Sequence, residues 1–393
     1  MNLPIVALPA ARSRVFYIDA TRTVACLLVV FSHVFAPVCT GLNDYPRSIW
    51  WVFNVLDSLI RPCAALYIMI SGKIFLGSSR DESYAQFVWK RYARLALPFF
   101  VWSMIYAFYE AHLNGDRLAA GPAVRQFLGG PTEYHLWFMY VILGLYLVMP
   151  ALRRFVRSAT TGDLWGFLAV WMGFLVLNLA KPNMAGVGWA TTLLSYGGYV
   201  VLGYALDRSN LQRRAGAWIF VWAAAIAVNA FGTYFLTIRR AGQLDDRLYF
   251  GAAPLVAVQG AAMFLLLKRA DEGSIFFRVG WLRSLIKTIS RQSYNVYLNH
   301  VMFIWIFTKG VLPFVLSENT GSTPLVGVPV TTAAVVACAL SVSLFMQKIP
   351  MLGKLLVIVV PPERRPEPVR CAYRESDQSS ILSGASFPAG EGA

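Results

Sequence analysis

The chain consists of long apolar runs separated by short polar connections. Each run holds roughly 20 residues, the length that a helix needs to cross the hydrocarbon core of a bilayer. Charged residues, prolines and glycines bound the runs, which lie near residues 23–38, 50–76, 95–110, 135–150, 164–180, 191–206, 217–237, 248–267, 294–316 and 325–347. The pattern predicts an all-α, polytopic integral membrane protein with about ten transmembrane helices.

Composition and charge agree with a membrane location. Hydrophobic residues make up 57% of the 393-residue chain and charged residues only 14%, well below the quarter or so that is usual in soluble domains. The 35 Lys and Arg residues give a net charge of +15, and most lie at the N-terminus, in alternate connections and in the C-terminal segment. Because cytoplasmic loops collect positive charge, both termini are predicted to be cytoplasmic. The basic residues are dispersed at helix ends rather than gathered in one patch, so no nucleic-acid partner is expected.

Two regions differ in composition. Residues 1–350 are predicted to form a single membrane domain. Residues 351–393 are rich in Pro, Arg, Glu, Ser and Gly and are predicted to be a disordered cytoplasmic tail. The five cysteines show no Cys-x-x-Cys pair or other metal-ligand spacing, so no metal site is predicted.

The first apolar run carries two ionisable residues on one face. Eleven residues separate Arg22 from His33, which places them about 20° apart around a helix and about 16 Å apart along it. Asp19 lies three residues before Arg22, within reach of an ion pair. In the functional interpretation, Arg22 meets anionic groups at the cytoplasmic face and His33 handles a proton or an acyl group deeper inside. In the alternative, Arg22 is a membrane anchor and His33 a packing residue.

The second run contains Asp57 and Arg61 at a spacing of four residues. This spacing predicts an ion pair within an otherwise apolar helix. Counted from the opposite membrane face, the pair falls at a depth comparable with His33, so the three side chains are predicted to share one polar cavity. A purely structural pair fits the sequence equally well.

Histidines also occur in the fourth and ninth runs. Glu133 and His135 lie at the outer end of the fourth run among aromatic residues, where they are candidates for a sugar-binding mouth; a solvated loop end is the alternative. His300 lies within an apolar stretch of the ninth run and is interpreted as a helix-packing histidine.

Basic residues cluster on the cytoplasmic side before the third run. Lys90, Arg91 and Arg94, together with Lys73, are candidates for binding the phosphates of a nucleotide donor or of lipid head groups. As membrane anchors they would need no ligand.

Several ordered blocks resemble one family of membrane enzymes. The first-helix block Ile18–Arg22 followed by His33, an Arg-x10-His arrangement, is similar to the signature of acyltransferase family 3, whose members O-acetylate or O-succinylate bacterial surface glycans. Further similar blocks are Ile70–Gly72, Lys90–Arg94 with Pro98–Ser103, His135–Tyr140 with Leu145–Tyr146, and Ser293–His300. The His-Leu-Trp-Phe block at His135 most resembles the branch that contains the enterobacterial common antigen O-acetyltransferase.

This resemblance implies a multi-pass O-acyltransferase of the bacterial inner membrane. The donor would be acetyl-CoA, or a CoA ester of another short acyl group, with no permanently bound cofactor. The acceptor would be a hydroxyl of a surface glycan or a lipid-linked saccharide, and membrane lipids would surround the protein.

The resemblance also implies roles for individual residues. His33 would act as general base or acyl carrier. The residues implied by role are His33, Arg22 and Asp19 for catalysis, Arg22, Lys90, Arg91 and Arg94 for the donor, and Asp57, Arg61, Glu133 and His135 for the acceptor.

A transporter or flippase of a lipid-linked saccharide is the competing interpretation. Intramembrane Asp, Arg and His residues also mark substrate and proton paths in transporters. Inverted repeats would favour this alternative, but residues 1–190 and 191–350 show no clear similarity to each other.

Overall fold

The computed structural model describes residues 16–80, 82–180, 188–273, 279–309 and 311–358, and this part of the chain is helical. Short 3-10 turns precede α9 and α12, and an isolated bridge joins Gly41 to Gln243. The helices in chain order are α1 (Phe16–Thr40), α2 (Arg47–Ile60), α3 (Cys63–Leu76), α4 (Tyr84–Leu113), α5 (Ala120–Gly129), α6 (Trp137–Ser158), α7 (Thr161–Ala180), α8 (Gly188–Arg208), α9 (Ala215–Arg239), α10 (Pro254–Gly273), α11 (Gly280–Thr308), α12 (Pro324–Met346) and α13 (Pro350–Leu355).

Six segments of the described chain are long and apolar enough to cross a membrane. They are α1, α2 with α3, α6, α7, α9 with its preceding turn, and α12. Helices α4, α8, α10 and α11 have sufficient length but are more polar. The prediction of an all-α, multi-pass membrane protein is thereby supported, and each of the ten predicted runs falls on one or two of these helices.

The boundaries of several predicted runs were wrong, most clearly those of the second, third and ninth. The second run is broken at Arg61 and Pro62 into α2 and α3, because proline lacks an N–H group and disfavours helical geometry in the residue before it. Helix α4 begins well before residue 95, and α11 begins at Gly280 and ends at Thr308 rather than spanning 294–316. Hydropathy detects only the apolar part of a helix, so these polar extensions could not be seen.

Helix α1 lies at the centre of the bundle. It packs against α2, α3, α10, α11 and α12, and its buried residues occur on several sides of the helix. Every polar side chain that faces inward from α1 is therefore surrounded by other helices, which is the setting in which His33 is found.

Helices α3 and α8 approach each other closely at two glycines. A Cβ atom added at Gly72 would lie 1.9 Å from the carbonyl oxygen of Val200, and one at Gly203 would lie 2.1 Å from that of Met69. Small residues permit such backbone contact between membrane helices. This contact fixes α3, and with it the break that carries Arg61.

The first residues of the predicted tail pack against the bundle. Residues 350–355 form α13, and Trp102 donates to the Leu356 carbonyl at 2.9 Å. The Asn295 side chain accepts from the Ile358 N–H at 2.8 Å and donates to its carbonyl at 3.3 Å. Residues 351–358, which were assigned to the predicted tail, are therefore held against the bundle by these hydrogen bonds. Residues 359–393, the rest of the predicted tail, lie outside the described residues.

Candidate active site

Three of the four histidines of the chain meet inside the bundle. His33 comes from α1, His135 from the loop before α6, and His300 from α11. Ring centroids lie 5.4 Å apart for His33 and His300, 5.0 Å apart for His135 and His300, and 6.4 Å apart for His33 and His135. We call these three residues the histidine cluster. Within the described ranges, no set of three His, Cys, Asp or Glu side chains could hold a metal ion.

His300 was interpreted from sequence as a packing residue, but its contacts also leave one ring nitrogen without a hydrogen-bond partner among the described residues. Its Nδ1 lies 3.1 Å from the carbonyl oxygen of Val296 and 2.8 Å from that of Tyr297. Carbonyl oxygens only accept hydrogen bonds, so Nδ1 donates and Nε2 carries the lone pair of the neutral ring. Nε2 has no hydrogen-bond partner among the described residues. The ring is thus held by its own helix and stacks on His33.

The loop before α6 delivers the second histidine. The Tyr297 hydroxyl of α11 donates to the backbone carbonyl of His135. The Tyr106 ring of α4 packs edge-on against the His135 ring, with centroids 5.1 Å apart. The neighbouring Tyr134 ring lies 5.0 Å from that of His33. Contacts from α4 and α11 therefore fix the position of this loop.

His33 and His135 of the cluster line a cavity of about 270 Å³, which is also lined by the predicted ion pair. We call it the histidine cavity. Arg61 donates to the Asp57 carboxylate, which confirms the ion pair predicted from their spacing. The Asp57 side chain is 1% exposed and that of Arg61 32%, and both side chains line this cavity. The Arg61 guanidinium also lies 4.4 Å from the centre of the Tyr249 ring.

Aromatic side chains form much of the remaining wall. Such rings offer apolar faces to the C–H surface of a sugar, and tyrosine adds a hydroxyl. The aromatic lining residues are Tyr67, Trp137, Phe138, Tyr196, Tyr249, Phe250 and Tyr297. Tyr196 and the loop residues Asp246, Tyr249, Phe250 and Gly251 were not predicted from sequence, because they come from distant parts of the chain.

Glu133, the other residue predicted at the mouth, lies beside the cavity rather than in its wall. Its side chain is 7% exposed, and its carboxylate accepts from the Tyr134 N–H at 3.1 Å. Burial raises the pKa of Glu133 to about 7, with the charge of Glu110 adding to the effect and the Tyr134 hydrogen bond opposing it. Near neutral pH this carboxyl group is therefore partly protonated.

The raised pKa makes folding stability depend on pH. The folded state holds the proton more tightly than the unfolded chain, so the stabilisation is complete below the unfolded pKa near 4.5 and is lost as pH rises through about 7. We expect Glu133→Gln to raise the thermal unfolding midpoint relative to wild type at about pH 8, with a smaller difference at about pH 5. Thermal unfolding in detergent across this range measures it, with Asp116→Asn as a control for removing one exposed loop carboxylate. Parallel profiles for wild type and Glu133→Gln would contradict the raised pKa.

Asp19 and Arg22 lie at the other end of α1. Asp19 is fully buried and accepts from the Ser290 hydroxyl of α11 at 2.6 Å. The Arg22 backbone carbonyl accepts from the Tyr67 hydroxyl at 3.3 Å. Asp19 therefore ties α1 to α11 at a distance of about 21 Å along the helix from His33.

The structure brings Arg22 toward two of the other predicted donor-binding residues. Arg22, Arg91 and Arg94 all lie within electrostatic range of the Tyr146 hydroxyl on α6. These three cations, from α1 and α4, therefore raise the electrostatic potential at this end of the bundle, which favours an anionic group there.

Lys90 and Arg91 already share a carboxylate. The Glu82 side chain accepts from Lys90 at 3.1 Å and from Arg91 at 2.9 Å. Burial alone would raise the pKa of Glu82, but these two hydrogen bonds outweigh it and lower the pKa below its usual value. The Lys90 side chain is 59% exposed, so it lies at the rim of this end of the bundle.

Lys73 has a structural partner. Its ammonium lies 2.7 Å from the Asp207 carboxylate at the end of α8, which also accepts from the Tyr17 hydroxyl. The lysine thus joins α3, α8 and α1. The membrane-anchor interpretation fits this contact better than a phosphate site does.

The geometry is that of a multi-pass membrane protein with reactive groups buried between its helices. A neutral histidine can take a proton from a hydroxyl group, and a guanidinium can hold an oxygen that becomes negative. Both groups face one cavity of a size suited to a small acceptor group. The cations around Tyr146 lie toward the opposite end of the bundle.

Comparison with known proteins assigns this architecture to a family. The sequence model of acyltransferase family 3, described as an acyltransferase domain, matches residues 15–344. The chain belongs to this family, and it is a membrane acyltransferase. No curated protein and no solved structure matches the chain.

Proposed function

We propose that this protein is an O-acyltransferase that transfers an acetyl or other short acyl group from acyl-CoA to a hydroxyl of a surface glycan or lipid-linked saccharide. The observation that carries the proposal is that His33 and His135 line one cavity together with the Asp57–Arg61 pair, with the His300 ring packed against both histidines. Membership of an acyltransferase family supports the reaction class. The aromatic wall supports a saccharide acceptor.

In the proposed reaction, His33 acts as general base. It takes the proton of the acceptor hydroxyl as that oxygen attacks the thioester carbonyl carbon. A carbon–oxygen bond forms, the carbon–sulfur bond breaks, and the proton passes from His33 to the departing CoA thiolate. The His300 ring stacks on that of His33, and its Nε2 can accept a hydrogen bond beside this base.

Arg61 has the complementary role. Its guanidinium stabilises the oxyanion that develops on the thioester carbonyl or holds the acceptor hydroxyls. Asp57 offsets its charge, so the arginine can remain in an apolar setting without an external counter-ion.

The donor enters from the end that carries Arg22, Arg91 and Arg94. Guanidinium groups bind phosphates strongly and in fixed geometry. Arg22 and His33 share one face of α1 at a separation of about 16 Å, so a donor held at one end can extend its thioester toward the other. We place this end in the cytoplasm of a bacterium, with ten membrane spans, both termini cytoplasmic and the acceptor chemistry toward the outer side of the inner membrane. The His135–Phe138 block favours the enterobacterial common antigen branch.

The test is mass spectrometry of surface glycans from a deletion strain and from the same strain complemented with the wild-type gene. We expect an acyl mass increment that disappears in the deletion strain and returns on complementation, and its size identifies the acyl group. Unchanged acylation with an altered amount or location of glycan would overturn the proposal in favour of a transporter.

A further inference from the structure

A second cavity lies at the other end of α6 from the histidine cluster. It has a volume of about 420 Å³ and is bounded by the loop between α3 and α4, the first turn of α4 and the last turns of α6. Four arginines line it: Arg80, Arg153, Arg154 and Arg157. We call it the arginine cavity.

Its positive charge is not balanced by the carboxylate in its wall. Glu82 is the acidic residue among its described lining residues. That carboxylate already binds Lys90 and Arg91. Among the described lining residues, the four arginines therefore outnumber the single carboxylate, and such a concave basic site concentrates anions.

The cavity is a built feature rather than a chance gathering of mobile side chains. Arg153 is buried at 6% exposure, and its guanidinium donates to the backbone carbonyls of Ser78 and Arg80 at 2.7 Å each. These bonds hold the loop that carries Arg80 against α6. Arg154 and Arg157 are exposed on the same helix end. Cations at a helix C-terminus are favourable by themselves, but that does not account for a fourth arginine supplied by a separate loop.

Helix α6 links this cavity to the candidate active site. Trp137, in its first turn, lines the histidine cavity and Arg153 lines the arginine cavity. The sixteen residues between them correspond to about 24 Å along the helix. An extended pantetheine arm with its diphosphate bridges a separation of this order.

We propose that the arginine cavity binds a phosphate group, supplied either by the 3′-phosphoadenosine end of coenzyme A or by the head group of an anionic phospholipid. Guanidinium groups recognise the terminal oxygens of phosphate in bidentate geometry. The nucleotide source rests on the proposed function, whereas the lipid source does not. Of the residues involved, Arg154 and Arg157 contact the phosphate, and Arg153 is a positioning residue that holds the loop.

The experiment compares wild type with the double variant Arg154→Gln/Arg157→Gln, purified as full-length chains in nanodiscs. The control is Arg213→Gln/Arg214→Gln, which removes two exposed arginines after α8. In neutral-lipid nanodiscs, binding of coenzyme A and of dephospho-coenzyme A is measured by calorimetry. In a second arm, the thermal unfolding midpoint is measured as phosphatidylglycerol replaces phosphatidylcholine.

With the nucleotide as source, wild type and control bind coenzyme A at least about tenfold more tightly than the dephospho form, and the cavity variant loses this preference. With lipid as source, phosphatidylglycerol stabilises wild type and control but not the cavity variant, and coenzyme A binding is unchanged. A cavity variant that matches wild type in both arms overturns the proposal. Neither arm requires turnover, so the test stands even if the protein does not acylate glycans. If the wild-type protein does not bind coenzyme A, the lipid arm decides.

Discussion

Replacing His33 by alanine is expected to reduce acylation of the surface glycan by about 10²–10⁴-fold, the usual contribution of a general base. The ring of His33 lies between those of Tyr134 and His300, and alanine removes the nitrogen that would accept the hydroxyl proton. Acyl groups per glycan repeat, measured by mass spectrometry at matched protein levels, report the effect. Purified protein should show the same loss of acyl transfer from acyl-CoA.

The fourth histidine of the chain provides the matched control for this variant. His112 is exposed at the end of α4, outside the histidine cluster, so His112→Ala should retain wild-type acylation. His33→Gln separates catalysis from packing, since glutamine fills similar space and forms hydrogen bonds but does not act as a base near neutral pH. Full acylation by His33→Ala or His33→Gln would remove His33 from the reaction.

The relative positions of polar residues within one helix could be predicted from sequence because helical geometry fixes their spacing. The i, i+4 spacing of Asp57 and Arg61 predicted their ion pair, which the structure confirms. The shared cavity with His33 followed from counting residues inward from each membrane face, and these three residues do line one cavity. Helix geometry and the position of the membrane boundary are sufficient to predict both the ion pair and the shared cavity.

The association of His300 with His33 and His135 could not be predicted from the stretch of sequence around His300. This stretch is apolar, which is equally typical of a histidine that only packs. The His300 ring meets those of His33 and His135 because α11 packs against α1 and the loop before α6 lies beside both. The aromatic wall from Tyr196 and Tyr249 depends on contacts between distant helices and has no local signature.

The Asp57–Arg61 pair provides the second large effect, because stability and activity respond differently to its replacement. Removing one partner leaves the other charge inside an apolar setting, so Arg61→Met and Asp57→Leu should each destabilise the protein by about 3–5 kcal/mol. The double variant Asp57→Leu/Arg61→Met removes both charges together and should recover stability to within about 1 kcal/mol of wild type. Unfolding in detergent measures these differences, and Arg117→Gln, which removes an exposed loop arginine, serves as the control.

Acylation by the double variant then separates the two interpretations of the pair. If Arg61 stabilises the oxyanion or holds the acceptor, the restored fold remains inactive, with a loss of about 10²–10³-fold as for a missing oxyanion donor. If the pair only neutralises itself within the helix, acylation returns together with stability. The expected result is the first, because the Arg61 side chain is 32% exposed toward a cavity that it shares with His33 and His135 whereas Asp57 is 1% exposed. A charge pair with only a packing role gains nothing from turning its cation toward this cavity.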